Sequence, residues 1–232
     1  MRVLSACKEL TQTILSLKKE GKSIGFVPTM GALHNGHLSL IKRARDENDV
    51  VVVSIFVNPL QFNSQQDLDK YPRVLEEDKK IMVGCGINLL FTPPVEELYP
   101  ETPKVLIKFG EMANVLEGEF RKGHFEGVGV VVSKFLHIVQ PDRAYFGLKD
   151  LQQFILIKRM CADLSFPVEI IGVETVREKS GLALSSRNRR LSEEGRQDAI
   201  IISKGLEYFK SGIDKKENLN ILLNKVNDIY SQ

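Results

Sequence analysis

A chain of 232 residues, 43% hydrophobic and 27% charged, is long enough for one large domain or a large and a small one, with an ordinary globular balance. Its net charge of +2, from 32 basic and 30 acidic residues, excludes the broad electrostatic footprint of a nucleic-acid or membrane-surface binder; affinity for anions must come from a local site. The three cysteines, Cys7, Cys85 and Cys161, lie far apart with no CxxC, and the N-terminus MRVLSACKEL lacks a long apolar run, which together predict reduced thiols in a soluble cytoplasmic protein.

Leu10, Ile14 and Leu17 fall at helical spacing within residues 5–20, and Gly21 supplies a stop. Ile24, Phe26 and Val27 predict a buried strand over 24–28 that breaks at Pro28. The chain then passes through Thr29, Met30 and Gly31 to His34-Asn35-Gly36-His37, and Leu38, Ile41 and Ala44 mark a helix from about Gly36. Two histidines therefore stand where a strand hands over to a helix. Peptide N–H groups there are unpaired and carry partial positive charge, which suits a phosphate, and Gly36 lets a ligand approach the backbone. The plain alternative is a pair of turn residues with local hydrogen bonds.

The continuous apolar run 50–57 (VVVVSIFV) predicts a strand covered on both faces, ending at Asn58-Pro59 and the polar loop 61–66. A helix from near Pro72 to Gly84, a strand over Ile87–Phe91, a Pro-rich loop 92–103 and a further strand over Lys104–Phe109 follow. Val128, Val131, Phe135 and Val139 repeat at helical spacing and are closed by Pro141. A strand at Ala144–Phe146, an amphipathic helix at Lys149–Leu164 and a strand at Val168–Val173 complete an alternation that predicts an α/β fold with a doubly wound parallel sheet. Ligands bind such sheets where strands end, so the loops 28–37, 58–66 and 147–153 are expected to share one mouth. Beyond Thr175 a polar, basic loop (Glu178–Arg190) and helices at 193–210 and 217–230, separated by Ser211-Gly212, predict a short C-terminal lid. The expected domains are 1–175 and 176–232.

Gly147 opens the backbone after a strand, Lys149 supplies a cation for phosphate, Asp150 can cap the helix or hold a nucleotide hydroxyl, and Gln152 and Gln153 offer amides. Ser185-Ser186-Arg187 brings two hydroxyls and a guanidinium, a phosphate clamp if another site awaits it. Glu76-Glu77-Asp78 reads as a solvated acidic face at a helix start, one member of which can reach a nucleotide-bound magnesium. His137 is expected on a helix surface, and the four histidines offer no metal-ligand spacing outside the 34/37 pair.

The segments VPTMGALHNGH (27–37), FVNPLQF (56–62), DLDKYPR (67–73), GHFEGV (123–128), IVQPDRAYFGLKDLQQ (138–153) and GLALSSRN (181–188) occur in that order over most of residues 20–195. Together they resemble the pantothenate synthetase (pantoate–β-alanine ligase) family of the HxGH nucleotidyltransferase superfamily. The resemblance implies a Rossmann-like N-terminal domain, a small C-terminal lid and a homodimer. It implies ATP-dependent condensation of pantoate with β-alanine to pantothenate through a pantoyl adenylate, with release of AMP and pyrophosphate and with Mg2+ accompanying ATP. By the same resemblance Met30, Gly31, Ala32, Leu33, His34, Asn35, Gly36 and His37 form the ATP loop, with His34 and His37 at the phosphates and His37 as proton donor. Gly147, Leu148, Lys149, Asp150 and Val176 are adenosine contacts, Lys149 also serving catalysis, and Leu184, Ser185, Ser186 and Arg187 form the phosphate loop. Gln61 and Gln153 hold pantoate, Gln61 and Arg121 meet β-alanine, and Glu77 meets magnesium. Leu148 stands where the family usually has Glu, and Lys122 where it usually has Pro. Two other readings remain open: an HxGH adenylyltransferase acting on a phosphorylated substrate, and a nucleotide-binding module without turnover.

Overall fold

The valine run of residues 50–55 lies inside a six-stranded sheet, as a strand covered on both faces requires. The computed structural model describes residues 1–231. In chain order its elements begin with β1 (Arg2–Leu4), α1 (Cys7–Lys19), β2 (Ile24–Thr29), α2 (Asn35–Glu47) and β3 (Val50–Ile55). They continue with α3 (Gln65–Asp69), α4 (Leu75–Val83), β4 (Leu89–Phe91), α5 (Val95–Leu98), α6 (Glu117–Phe120), α7 (His124–Val139), β5 (Arg143–Gly147), α8 (Leu151–Asp163) and β6 (Glu169–Val173). Last come α9 (Glu193–Asp214) and α10 (Leu219–Tyr230). The strands order as β1-β4-β3-β2-β5-β6 and every neighbouring pair is parallel, so the predicted α/β architecture is the one observed.

Alternation along β3 sends Val50 and Val52 to one face and Val51 and Val53 to the other. The first face packs on Leu10 and Ile14 of α1, Phe135 of α7 and Ile157 of α8; the second packs on Leu40 and Ile41 of α2 and Met82 of α4. Gly21 (φ 75°) ends α1 with the Gly21 N–H on the Lys18 carbonyl and the Lys22 N–H on that of Leu17, a Schellman closure that needs a left-handed residue. Strand order reverses at β2, which has β3 on one side and β5 on the other. That reversal opens a crevice at the carboxyl ends of β2 and β5.

Several expectations are corrected. Residues 104–109, expected as a strand, join no strand among the described residues: Ile107 and Phe109 pack on the core, but Val105 and Leu106 are both exposed. Two consecutive exposed residues break the in–out alternation that a half-buried strand requires. Helix α4 starts at Leu75 instead of Pro72, and β1 is a three-residue edge strand too short to leave a periodic signal. Among the described residues no helix is long and apolar enough to cross a membrane.

From Thr175 the chain forms a second compact unit, separate from Met1–Glu174. Its first part is a tight hairpin. Arg177 bridges Ala183, the Leu184 N–H reaches the Val176 carbonyl at 3.0 Å, and Gly181 (φ 94°) closes the turn on Glu178. Helix α9 runs unbroken through Ser211-Gly212, where a break was expected. Gly212 serves packing there: a Cβ would come 2.1 Å from the Leu222 side chain of α10.

Candidate active site

The corner from β2 to α2 is built by its own polar groups. Thr29 Oγ1 donates to the Ser54 carbonyl at 2.7 Å and accepts the Gly31 N–H at 3.2 Å. Gly31 (φ 78°) and Ala32 (φ 51°) both turn left-handed, and Leu33 then anchors the turn in the core. His34 is the N-cap of α2. Its Nδ1 accepts the Gly36 N–H at 3.1 Å, while Nδ1 of His37 accepts the His34 N–H at 3.3 Å. The two rings lie with centroids 4.1 Å apart. This reciprocal cap satisfies peptide donors that a helix start leaves open. The local hydrogen bonds of the plain reading are therefore present. By occupying Nδ1 they put each ring's proton on Nε2, the atom that can donate to a ligand. Burial, with a smaller electrostatic contribution from the neighbouring His34 and Lys149, pushes His37 down to about 3, so its ring is neutral near pH 7.

The corner from β5 to α8 brings Lys149, whose Nζ pairs with Asp150 at 2.9 Å. Asp150 makes no side-chain cap on α8. Leu148 lies against Gly172 of β6, where a Cβ would come 2.6 Å from its Cδ2, so this position is a packing contact. The paired glutamines divide their work. Gln152 grips the segment before α6, donating to the Met112 and Val115 carbonyls and accepting the Glu117 N–H at 3.0 Å. Gln153 lines a cavity of about 170 Å³ at the crevice.

That cavity also receives Met30 and His37 from the first corner, Asp150 from the second, and Gln61 from the loop after β3. Its other wall is apolar: Val128, Val131, Val132 and Phe135 of α7, with Phe56 and Phe146. Gln61 is 8% exposed and tightly held. Asn58 Nδ2 donates to its Oε1 at 3.0 Å, His124 Nδ1 donates to its carbonyl at 2.8 Å, and its own Nε2 lies 3.1 Å from Met30 Sδ. Asn58 is itself saturated, since its Nδ2 also reaches the Gly127 carbonyl and its Oδ1 accepts from the Tyr99 hydroxyl and the Leu60 N–H. With the amide oxygen taken, Gln61 offers donors to the cavity; this O/N assignment follows from the network. Gly127 permits the arrangement, because a Cβ there would come 2.2 Å from the Leu60 carbonyl oxygen.

Other predicted residues fall outside the cavity lining. Arg121 pairs with Glu117 at 2.6 Å, and the carbonyl of the adjoining Lys122 accepts from Asn63, which fixes the loop where proline was expected. Glu77 is exposed on α4, while Asp78, read as part of a solvated face, is 1% exposed and bonded to the Ala32 and Leu33 N–H groups. Leu75, Asp78 and Met82 share one helical face, a spacing that could have placed Asp78 inward. Asn58, Tyr99 and His124 were also missed as supports of Gln61, because their partners are distant in sequence. Val176, Leu184, Ser185, Ser186 and Arg187 belong to the second unit. There Ser185 caps the Arg187 N–H, Asn188 donates to the Ala183 carbonyl, and Arg196 pairs with Glu178. His137 is exposed on α7, as expected.

A family model described as pantoate-beta-alanine ligase matches residues 2–232. The chain belongs to the pantoate–β-alanine ligase family. It is accordingly an enzyme of the ligase class. It is 49% identical over 223 residues to the pantothenate synthetase of Brucella anthropi, covering 94% of this chain and 77% of that one. The crystal structure of pantothenate synthetase from Thermus thermophilus superposes with a TM-score of 0.93 at 45% identity, covering 99% of this chain and 82% of that one. A pantoate-beta-alanine ligase from Francisella tularensis, solved in complex with beta-gamma ATP and beta-alanine, superposes with a TM-score of 0.84 at 44% identity over 99% of this chain and 86% of that one. A pantoate–β-alanine ligase needs a site for a small acid beside one for a nucleotide, and the crevice sets the cavity directly beside the HxGH corner.

Proposed function

We propose that this enzyme joins pantoate to β-alanine at the expense of ATP through an enzyme-bound pantoyl adenylate, releasing pyrophosphate first and AMP second. The observation that carries this reading is the division of the cavity lining between the polar His37, Gln61 and Gln153 and the apolar valines of α7. A branched hydroxy acid suits that division: its dimethyl body meets the valines and its oxygens meet the amides. Among the described residues no lysine or arginine lines the cavity, which favours such an acid over a phosphorylated second substrate. The ligands named for the Francisella tularensis relative support ATP and β-alanine as the other two substrates.

In the first half-reaction a pantoate carboxylate oxygen attacks the α-phosphorus of ATP, and the bond to the pyrophosphate oxygen breaks. Charge builds on the phosphoryl oxygens, where Nε2–H of His34, Nε2–H of His37 and the Lys149 ammonium are the donors. A preorganised donor of this kind is typically worth ~3 kcal/mol in the transition state. His37, expected as a proton donor, acts here as a hydrogen-bond donor, since its ring starts neutral. In the second half-reaction the β-alanine amine attacks the acyl carbon, AMP leaves with the bonding electrons, and the nitrogen sheds a proton to water.

The remaining assignments are part of the same proposal. Gly147 to Asp150 and Val176 contact adenosine, and Leu184 to Arg187 clamp the phosphates from a unit that acts as a lid against water. Arg121 takes the β-alanine carboxylate by exchanging its Glu117 partner. No group of three or more His, Cys, Asp or Glu side chains that could hold a metal ion exists among the described residues. A magnesium carried by the nucleotide needs only one or two carboxylates, which Glu77 fits; when bound, it neutralises phosphate charge. Two copies pair through the segment 104–109, which carries the exposed apolar side chains Val105 and Leu106. The three free thiols suit the cytoplasm.

The test is product release with each substrate omitted in turn. Pyrophosphate should form from ATP, magnesium and pantoate alone, and AMP release should require β-alanine too. Pyrophosphate appearing only when β-alanine is present would remove the separate adenylate step.

A further inference from the structure

Successive peptide N–H groups in a turn form a concavity that receives anions. In the turn before His34, two such groups face a carboxylate of the protein itself. Asp78 Oδ2 accepts the Ala32 N–H at 2.9 Å and Oδ1 accepts the Leu33 N–H at 2.8 Å. The carboxylate is 1% exposed and is carried on the same face of α4 as Met82, which is fully buried against the sheet. The contact leaves no slack, because a Cβ on Gly31 would stand 2.9 Å from Asp78 Oδ2. Ala32 meanwhile holds a left-handed φ of 51°, a conformation that a residue with a Cβ adopts only when its surroundings impose it. His34 follows Leu33 directly, and its ring is interlocked with that of His37.

We propose that Asp78 is a positioning residue for adenylation: its buried carboxylate fills the anion-binding turn at Ala32 and Leu33 and so imposes the backbone that delivers His34 and His37 to the phosphates. The inference rests on the activity proposed above. It separates the two anion sites of this corner. The peptide groups of Ala32 and Leu33 are taken by the protein, and the imidazole Nε2–H groups serve the nucleotide. A carboxylate suits the turn because each of its oxygens takes one of the two N–H groups; an amide in the same place would turn its own donor toward one of them.

The experiment uses the full-length protein and two readouts. In the unmutated enzyme, ¹⁵N–¹H spectra should show the Ala32 and Leu33 amides almost unmoved when ATP is added, while the imidazole signals of His34 and His37 shift. Large ATP-induced shifts at those two amides would mean that they bind phosphate themselves and would overturn the proposal without any variant. Asp78→Asn should lower kcat for pyrophosphate release at least tenfold and leave KM for pantoate within about twofold, since Gln61 is held by other residues. Its histidine signals should move toward a mixture of tautomers. Adding Ala32→Gly, which tolerates the left-handed backbone, should recover part of the lost kcat, a rescue that a general loss of stability would not show. A folded Asp78→Asn enzyme with unchanged kcat and unchanged imidazole signals would also overturn it. Should the unmutated enzyme release no pyrophosphate from ATP and pantoate, the activity reading fails, while the amide and imidazole spectra still decide what Asp78 holds.

Discussion

The rings of His34 and His37 are locked in the same tautomer, because Nδ1 of each accepts a peptide N–H, from Gly36 at 3.1 Å and from His34 at 3.3 Å. Both protons are thereby sent to Nε2. A neutral histidine normally leaves that choice open; here the helix start makes it before any ligand arrives.

His37→Ala should retain the fold and lose turnover by roughly a hundredfold or more, the scale expected for removing a transition-state donor. His137→Ala should change turnover little, since that ring is exposed on α7 and hydrogen-bonds its own helix at Ser133. Steady-state rates of pyrophosphate release for both variants check the contrast. Near-normal turnover in His37→Ala would remove the histidine from the chemistry.

The depressed His37 sets a pH dependence of stability. Its value in the folded state, about 3, lies below the ordinary 6.5, so the unfolded chain takes up this proton first as pH falls. The associated stability is fully present above pH 6.5 and is lost as pH drops from 6.5 toward 3. Urea unfolding across that window should therefore show a shallower decline for His37→Gln than for the parent. Parallel declines would show that the ring is not depressed.

Gln61→Ala should weaken pantoate far more than ATP. Removing a hydrogen bond to a charged group costs about 1.5–3 kcal/mol, or ten- to more than a hundredfold in affinity. Gln61→Glu should be worse still, because it sets a carboxylate against the substrate's own and loses both donors. Calorimetric titration of each ligand separates these effects, and equal weakening of ATP and pantoate would place Gln61 elsewhere.

If two copies pair as proposed, Leu106→Asp should sediment as a smaller species than the parent at equal concentration. Leu106 is 65% exposed beside Val105, which is 77% exposed. A charge there disfavours pairing without touching the core. A Leu106→Asp dimer of unchanged strength would move the interface away from this segment.

The sheet and the mouth of the site were legible because their signals are local. VVVVSIFV declares a doubly covered strand by composition, and the HxGH and GLKDLQQ corners each announce a strand handing over to a helix. What escaped is what needs a partner remote in sequence. Whether residues 104–109 join a sheet depends on a neighbour, and a short β-prone run carries no record of one. Asp78 looks like a solvated carboxylate until the turn at Ala32 is brought against it, and Gln152 reads as an amide offered to a ligand until the carbonyls of Met112 and Val115 take it. Gly212 reads as a helix stop until Leu222 is seen to need its missing Cβ. Only Asp78 had a usable signal, in its register with Leu75 and Met82.

The reversal of strand order at β2 also dictates an order of assembly. β2, β3 and β4, with the turn that presents His34 and His37, come from the first 91 residues of the chain. β5 can dock beside β2 only after a long excursion, when Asp142 accepts the Ile24 N–H across a separation of 118 residues. A chain emerging from the ribosome therefore completes the corner of His34 and His37 well before Lys149 and Gln153 exist to face it. Until then the open side of β2 is a bare sheet edge, so the slow and aggregation-exposed step of folding should be the capture of β5.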